Sequence, residues 1–295
     1  PHQIAVISGI GCSSRLPYYM NTYGFHTIHG RGAAIASGLK VANPKLSVWQ
    51  ITGDGDCLAI GGNHFIHSIR RNMDLNIVLV NNQVYGLTKG QYSPTSNRGY
   101  VCKSAPYGTV EDPFRPAELT FGARGTFFAR TVDVDSPVAV EVLTAAAKHK
   151  GASVVEVLEN CIIFNDGTHS AVSKKEGRAK NAIVLQHGKP MIFGENNEKG
   201  LILDGMNLKV VNLGENGVTE KDILIHDETT IDFTLHLKLA TMPFPEFPIA
   251  LGVIRSIKAP TYDEEITVQI KDVQAKNPTR SLKDYLMKGE IWEVK

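Results

Sequence analysis

The segment Gly53-Asp54-Gly55-Asp56, followed after one predicted helix by Asn81-Asn82, decides the fold of this chain. Each segment comes directly after a short apolar run, at residues 46–51 in the first case and 75–80 in the second. Apolar runs of this length between glycine-rich turns are typical of buried strands. Because ligands of open parallel sheets bind beyond the carboxyl ends of the strands, we expect the two polar segments to meet there.

The residue types in these segments suit a magnesium–diphosphate unit. Glycines let the backbone approach a phosphate, and the start of the helix predicted at residues 60–71 favours negative charge. Magnesium takes an octahedron of oxygens, only a few of which come from protein. Asp54, the Asn82 amide and the Val84 carbonyl would supply three of them. Each segment alone is also an ordinary turn or strand end, so the pairing is what favours a cofactor site.

The first 165 residues alternate strands with helices, which predicts a three-layer α/β domain around a parallel sheet. Strands are expected at residues 4–8, 46–51, 75–80 and 153–158, and helices at 31–41, 60–71, 116–130 and 137–149. Residues 1–165 are therefore predicted to form the diphosphate-binding domain.

The pattern changes after residue 165. Short apolar runs alternate with Gly and Asn turns at residues 182–186, 191–193, 201–204, 208–212 and 249–254. Residues 242–248 contain three prolines and are expected to be extended, since proline interrupts helices and central strands. Residues 166–295 are thus predicted to form an irregular, strand-rich C-terminal extension that makes subunit contacts.

Composition and charge narrow the classes of partner. The 295 residues are 42% hydrophobic and 21% charged, as in ordinary globular proteins. The formal net charge is +1, so the basic excess typical of nucleic-acid-binding proteins is missing. No apolar run approaches the roughly 18 residues that span a bilayer. We therefore expect neither nucleic acid nor membrane as a partner.

The start of the chain and its cysteines bear on location. Pro1 leads directly into strand-like sequence without an initiator Met or a secretory signal, which indicates further residues upstream. No two of the four cysteines form a Cys-x-x-Cys pair, and a cytoplasmic location is predicted. Cys57 and Cys102 are expected to be buried as small hydrophobic residues. His64 and His67 lie three apart on a predicted helix, where such a pair without a third ligand is more often surface or packing.

Five stretches together resemble the β subunit of 2-oxoacid:ferredoxin oxidoreductases, which bind thiamine diphosphate. The stretches are Gly9 to Ser14, His29-Gly30-Arg31, Gly53 to Asp56, Asn82 to Gln91, and Ser93-Pro94-Thr95. The resemblance covers about residues 4 to 170.

The resemblance implies a set of site residues. Magnesium would be held by Asp54, Asn82 and the Val84 carbonyl. The remaining cofactor-binding residues would be Gly11, Cys12, His29, Gly53, Gly55, Asp56, Gly86 and Leu87. Cys12, His29, Leu87 and Lys89 would act near the reacting groups. Cys12 and Cys161 would be two ligands of a [4Fe–4S] cluster, whose other two ligands form a Cys-x-x-Cys that these 295 residues do not contain.

The resemblance also implies the reaction and the partners. A 2-oxoacid, with 2-oxoglutarate favoured over pyruvate, would be oxidatively decarboxylated to an acyl-CoA, and the electrons would pass to ferredoxin. An α subunit would supply the pyrimidine-binding domain and its activating Glu. Two alternatives stay open: the diphosphate-binding half of a non-oxidative thiamine enzyme such as a 2-oxoacid decarboxylase, and a non-catalytic phosphate-binding module.

Overall fold

A computed structural model describes residues 1–276, 281–292 and 294. Its strands are β1 (Ile4–Ser8), β2 (Tyr23–His26), β3 (Ser47–Gly53), β4 (Leu75–Asn81), β5 (Phe127–Val132), β6 (Ser153–Leu158), β7 (Ala182–Leu185), β8 (Ile192–Phe193), β9 (Lys199–Asp204), β10 (Asn207–Asn212) and β11 (Ile249–Ser256). Its helices are α1 (Gly32–Ala42), α2 (Asp54–Leu58), α3 (Gly62–Arg70), α4 (Pro116–Gly122), α5 (Ser136–Lys148), α6 (Ser170–Ser173), α7 (Lys175–Asn181), α8 (Thr234–Ala240), α9 (Tyr262–Lys276) and α10 (Leu282–Leu286). Short 3-10 helices cover Ser13–Tyr19 and Glu220–Asp222.

Eight strands form one sheet in the order β2-β1-β3-β4-β6-β5-β11-β7. The first six run parallel, which confirms the predicted parallel α/β sheet. β11 pairs antiparallel with β5 and parallel with β7, so the last two strands run opposite to the other six. The strand order reverses between β1 and β3, and α/β sheets bind ligands at such a point.

Helices cover both faces of the sheet. Successive side chains of a strand point to opposite faces, and in β4 both Ile77 and Val78 are buried. Phe65 of α3 packs with Ile77 in one apolar cluster, whereas Val142 of α5 belongs to a second. Burial on both faces explains why the central strands are continuously apolar rather than alternating.

The single helix expected at residues 116–130 is wrong. Helix α4 ends at Gly122, and Phe127 begins the fully buried strand β5. Between them Arg124 has a left-handed φ of 62°. A β-carbon on Gly125 would come within 2.4 Å of the Thr120 methyl carbon. This tight reversal separates two elements whose apolar residues look like one helical pattern in the sequence.

Two strands from the C-terminal half complete the main sheet. β7 and β11 both lie beyond residue 165, so the expected division at that residue is not a boundary of the sheet. β8, β9 and β10 form a separate three-stranded antiparallel sheet. Residues 242–248 form neither helix nor strand, as expected, but the extended course predicted for them is wrong. Residues 244–246 form a turn, and the Phe247 amide donates to the Pro243 carbonyl at 2.9 Å.

The longest described helix, α9, has 15 residues and begins with three acidic side chains in its first turn. Across the described ranges, no helix combines the length and the apolar character of a membrane span.

Candidate active site

The two polar segments meet at the carboxyl ends of β3 and β4. These strands are parallel neighbours with Gly53 opposite Val80, and Asp54 and Asn82 follow directly beyond them. Both side chains open onto a cleft of about 390 Å³. All eleven residues expected to bind the cofactor line this cleft: Gly11, Cys12, His29, Gly53, Asp54, Gly55, Asp56, Asn82, Val84, Gly86 and Leu87.

Asp54 is a buried carboxylate that accepts two hydroxyl hydrogen bonds on one oxygen. Ser93 Oγ and Thr95 Oγ1 each lie 2.5 Å from Asp54 Oδ2. Burial raises the pKa of Asp54, and the two hydroxyls oppose that rise by stabilising the ionised form. In the described part of the chain no Lys or Arg forms an ion pair with it. A buried carboxylate of this kind is a natural position for a bound cation.

Asn82 lies between its own loop and an acidic residue. Its Oδ1 accepts from the Val84 amide at 3.3 Å, and its Nδ2 donates to Glu159 Oε2 at 3.3 Å. This pattern turns the amide oxygen towards the Val84 side and the amide nitrogen towards Glu159. Burial raises the pKa of the Glu159 carboxyl, which also lines the cleft.

Asp56 is engaged inside the protein as well as lining the cleft. Its Oδ1 accepts from the amides of Ile10 at 3.1 Å and Gly30 at 2.7 Å, and its Oδ2 accepts from the Thr52 hydroxyl at 2.6 Å. The His29 Nδ1 lies 3.1 Å from Oδ1. One buried carboxylate thus joins the loops after β1, β2 and β3, and this role was not evident from the sequence.

Tyr85 lines the cleft beside the loop at residues 53–55. Its hydroxyl donates to the Gly55 carbonyl at 3.1 Å. A β-carbon on Gly55 would come within 2.2 Å of the Tyr85 ring, so only glycine allows this contact. Burial, and then the nearby carboxylates of Asp54 and Asp56, raise the pKa of Tyr85 to about 12. Tyr85 therefore stays a neutral hydrogen-bond donor.

The two cysteines expected to ligate a cluster approach one another at Gly86. A β-carbon on Gly86 would lie 3.5 Å from Cys12 Sγ and 3.7 Å from Cys161 Sγ. Cys12 is solvent-exposed. Its pKa is raised, first by partial burial and next by the charge of Cys161. Two sulfurs that approach the same glycine could supply two of the four thiolates that an iron–sulfur cluster requires.

Other residues singled out in the sequence lie elsewhere. Lys89 is exposed on the turn after Gly86 and does not line the cleft. Arg31 Nη1 lies 2.5 Å from His64 Nε2, and this exposed side-chain contact brings a cation to His64 where a metal site would need a further ligand. Cys57 is buried as expected, whereas Cys102 is only partly buried, because it sits in an exposed turn, so that expectation was wrong.

The cleft fits magnesium and a diphosphate on its polar groups. The Ser13 hydroxyl oxygen lines it and is buried without a partner among the described residues. Within residues 1–276, 281–292 and 294, no three His, Cys, Asp or Glu side chains converge as a metal site. The magnesium set expected here is of another kind, because it contains one carboxylate, one amide and one backbone carbonyl.

Sequence reasoning missed the groups that hold the ligating side chains in place. Ser93 and Thr95 belong to the recognised motif, but their sequence separation from Asp54 gave no sign of contact. Thr52 and Glu159 carried no signal at all. The sequence signal for Ser93 and Thr95 was their place in the Ser93-Pro94-Thr95 stretch of the motif.

Comparisons with known proteins agree with this geometry. The family described as thiamine pyrophosphate enzyme, C-terminal TPP binding domain, matches residues 9–157. The 2-oxoglutarate oxidoreductase subunit KorB of Mycobacterium tuberculosis is 46% identical over 294 residues, which are 99% of this chain and 78% of that protein. The β subunit of 2-oxoacid:ferredoxin oxidoreductase 1 from Aeropyrum pernix is 48% identical over 166 residues, 56% of this chain and 52% of that protein.

A solved structure matches along nearly the whole chain. It is the 2-oxoglutarate:ferredoxin oxidoreductase from Magnetococcus marinus with 2-oxoglutarate, coenzyme A and succinyl-CoA bound. The TM-score is 0.72 at 29% identity, over 97% of this chain and 81% of that one. The fold agrees with the sequence relatives and with the matching thiamine-binding domain. Together these similarities show that this chain belongs to the family of 2-oxoacid:ferredoxin oxidoreductase β subunits.

Proposed function

We propose that this chain is the thiamine diphosphate-binding subunit of an enzyme that oxidises 2-oxoglutarate to succinyl-CoA and reduces ferredoxin. The observation that carries the proposal is the convergence of Asp54 and Asn82 in one cleft at the ends of β3 and β4. Its relatives are β subunits of enzymes named for this reaction class.

The bound cofactor would act as the electron sink for decarboxylation of the 2-oxoacid. Asp54, Asn82 and the Val84 carbonyl would hold magnesium and so fix the diphosphate. The buried carboxylate supplies the negative charge that the cation needs, and Gly53 and Gly55 leave the backbone open to phosphate oxygens.

His29 and Tyr85 would orient groups along the cleft. The Nδ1 of His29 lies 3.1 Å from Oδ1 of Asp56, so this carboxylate would fix the orientation of the imidazole ring. The two rings lie 6.2 Å apart between centroids. Leu87 is 58% exposed at the mouth of the cleft, where it would contact the substrate or a partner subunit. Lys89, on the same turn, would act in that region only if the turn moves.

Cys12 and Cys161 would provide two thiolates of a [4Fe–4S] cluster. Their convergence on Gly86 supports a cluster position beside the cofactor cleft, since Cys12 and Gly86 line that cleft. This position suits one-electron transfer from the cofactor site towards ferredoxin. The family's other two ligands are a Cys-x-x-Cys outside these 295 residues.

An α subunit would complete the site with the Glu that activates the cofactor. Glu159 is a carboxylate of this chain that lines the cleft, but its hydrogen bond to Asn82 keeps it at the magnesium end. Ile162 and Ile163 are 74% and 76% exposed just beyond Cys161. Exposed aliphatic side chains next to an incomplete site are what a subunit interface would cover. A cytoplasmic location remains part of the proposal.

The test uses the complex of this chain with its α subunit. Reduction of ferredoxin should require 2-oxoglutarate and coenzyme A, and pyruvate should be a poorer substrate by kcat/KM. Thiamine diphosphate with magnesium should raise the Tm of the native complex, and Asp54→Ala should abolish that rise. Equal or better turnover of pyruvate would overturn the substrate assignment.

Further outcomes separate the remaining alternatives. Release of an aldehyde without ferredoxin reduction would identify a non-oxidative decarboxylase. No Tm response to the cofactor would identify a non-catalytic module. Cys161→Ser should remove the brown absorbance near 400 nm, whereas Cys57→Ser should keep it.

A further inference from the structure

Two hydroxyl groups aim at the same oxygen of the proposed magnesium ligand. Ser93 Oγ and Thr95 Oγ1 both lie 2.5 Å from Asp54 Oδ2. All three residues are at most 2% exposed, so water does not compete for these bonds. Within the described ranges, Asp54 Oδ1 receives no side-chain hydrogen bond, which leaves it as the oxygen that can face a cation.

The loop that carries both hydroxyls is itself held firmly. The Ser93 amide donates to Ser96 Oγ at 2.8 Å, and Ser96 Oγ donates to the Gln83 carbonyl at 2.6 Å. Gln83 adjoins Asn82 and has a left-handed φ of 56°. The hydroxyl-bearing loop is therefore tied to the same turn that presents the proposed amide ligand.

Thr95 is also connected to charged residues below the site. Its hydroxyl lies 3.0 Å from Asn81 Oδ1, and Asn81 Nδ2 donates to Glu156 Oε1 at 2.8 Å. The other oxygen of Glu156 accepts from Arg130 Nε at 2.7 Å. This bond fixes which way the Asn81 amide points, because Glu156 can only accept. The Asn81 oxygen is consequently directed to Thr95, whose single hydroxyl proton is shared in a bifurcated bond between Asp54 Oδ2 at 2.5 Å and this oxygen at 3.0 Å.

Arg130 is anchored by the C-terminal half of the chain. Its Nη2 donates to the Ala240 carbonyl at 3.0 Å, at the end of α8, and its Nη1 donates to the Ala250 carbonyl at 3.5 Å, in β11. The side chains of Arg130 and Glu156 are 11% and 3% exposed. A continuous buried polar chain thus runs from backbone carbonyls beyond residue 165 to Asp54.

We propose that Ser93 and Thr95 are positioning residues that hold Asp54 in the orientation needed to bind magnesium, and that the chain Asn81–Glu156–Arg130 holds Thr95. This inference rests on the proposed function, because it assumes that Asp54 binds magnesium. Groups that orient metal ligands in this way usually contribute a substantial part of the metal affinity.

The test measures magnesium affinity in the complex with the α subunit, freed of metal with EDTA and then saturated with thiamine diphosphate. The readout is the magnesium concentration at which half of the cofactor-dependent rise in Tm appears. Thr95→Val keeps the shape and removes the hydroxyl, and Ser93→Ala removes the other. The double variant should need roughly 10- to 100-fold more magnesium. The single variant Thr95→Ser keeps a hydroxyl at this position, so its magnesium midpoint should stay close to the native value.

Thr120→Val is the matched control. Thr120 is also fully buried, and its hydroxyl donates to the Pro116 carbonyl in α4, away from the cleft. This variant should lower the Tm without moving the magnesium midpoint. Electron paramagnetic resonance of bound Mn²⁺ gives a second readout that does not depend on folding stability.

The possible results distinguish a failure of the positioning role from a failure of the proposed magnesium and cofactor binding. One outcome would overturn the positioning role alone. In it, the native complex shows the cofactor-dependent rise in Tm and Asp54→Ala does not, but the double variant has the native magnesium midpoint. No response of the native complex to magnesium and thiamine diphosphate would overturn both. A midpoint that shifts equally in Thr120→Val would show a general packing effect and also overturn the positioning role.

Discussion

The His29 Nδ1 lies 3.1 Å from Oδ1 of Asp56, and this pair joins an accessible imidazole to a buried carboxylate. The His29 side chain is 36% exposed and that of Asp56 only 2%. The same carboxylate receives the amides of Ile10 and Gly30. The orientation of a ring in the cleft is therefore set by a group that also fixes the loop bearing Cys12.

Asp56→Asn should weaken both folding and cofactor binding. An amide nitrogen in place of one carboxylate oxygen would face donors, and the cost should be about 1–3 kcal/mol of unfolding free energy. The rise in Tm given by thiamine diphosphate and magnesium should shrink as well. Thr52→Val is the control, since it removes one donor to Asp56 Oδ2 and leaves the contact between Asp56 Oδ1 and His29. Equal effects of the two variants on the cofactor-dependent rise would contradict the role given to His29.

Gly55→Ala should be far more harmful than Gly53→Ala. A β-carbon on Gly55 would meet the Tyr85 ring at 2.2 Å, whereas one on Gly53 has no neighbour closer than 3.6 Å. Displacing Tyr85 should cost about 1–3 kcal/mol, as overpacking of a tight contact does. Gly53 has φ of −92°, which alanine adopts readily, so its variant should keep the native Tm or exceed it slightly. Differential scanning calorimetry without added cofactor would decide, and similar Tm values for both variants would refute the expectation.

The buried pair Arg130–Glu156 should matter more than an exposed pair of similar geometry. Arg130→Met leaves Glu156 charged and buried, which should cost about 3–5 kcal/mol. Arg98 and Asp112 lie 3.1 Å apart with side chains 62% and 82% exposed, so Arg98→Ala should cost at most about 1 kcal/mol. Urea unfolding monitored by circular dichroism compares the two. A double-mutant cycle with Glu156→Leu should show that removing both charges costs less than the sum of the single losses.

Stability should fall in mild acid because of His149. Burial lowers the pKa of His149 from 6.5 to about 4, and its Nε2 lies 2.9 Å from the Thr126 hydroxyl. The unfolded chain binds a proton near pH 6.5 and the folded protein does not, so this stability is complete above pH 6.5. It is lost progressively as the pH falls from 6.5 to 4, by about 3 kcal/mol in total.

A comparison of variants isolates this residue from the other buried histidines. His149→Asn cannot titrate, so the difference in unfolding free energy between it and the native protein should narrow from pH 7.5 to pH 5. Urea titrations at several pH values give that difference. A gap that stays constant over this range would exclude His149 as the source.

The part of the site that the sequence predicts is the part encoded locally. The glycine–aspartate segment and the two asparagines each follow a strong apolar strand, so their meeting at one sheet edge could be inferred from the pattern alone. Parallel neighbours with one connecting helix have few possible arrangements. The alternation of strands and helices before residue 165 was informative for the same reason.

The remainder depends on contacts between distant residues. Nothing in the sequence around Ser93 indicates that its hydroxyl reaches a carboxylate 39 residues earlier. The apolar run at residues 249–254 marks β11 as a strand but carries no information on its neighbours, and β11 enters the sheet antiparallel beside β5. At Arg124 the sequence pattern is misleading. The apolar pattern predicts a helix that continues to residue 130, but α4 ends at Gly122 and Arg124 has a left-handed backbone.

The anchoring of Arg130 has a consequence for how the protein matures on the ribosome. Its carbonyl acceptors lie 110 and 120 residues later in the chain. At roughly 5–20 residues per second, the nascent chain spends on the order of 6–24 s with β5 unpaired at its edge and this guanidinium without those acceptors. The residues that line the cofactor cleft lie between Ile10 and Glu159, but the cleft reaches its final form only after β11 has been synthesised.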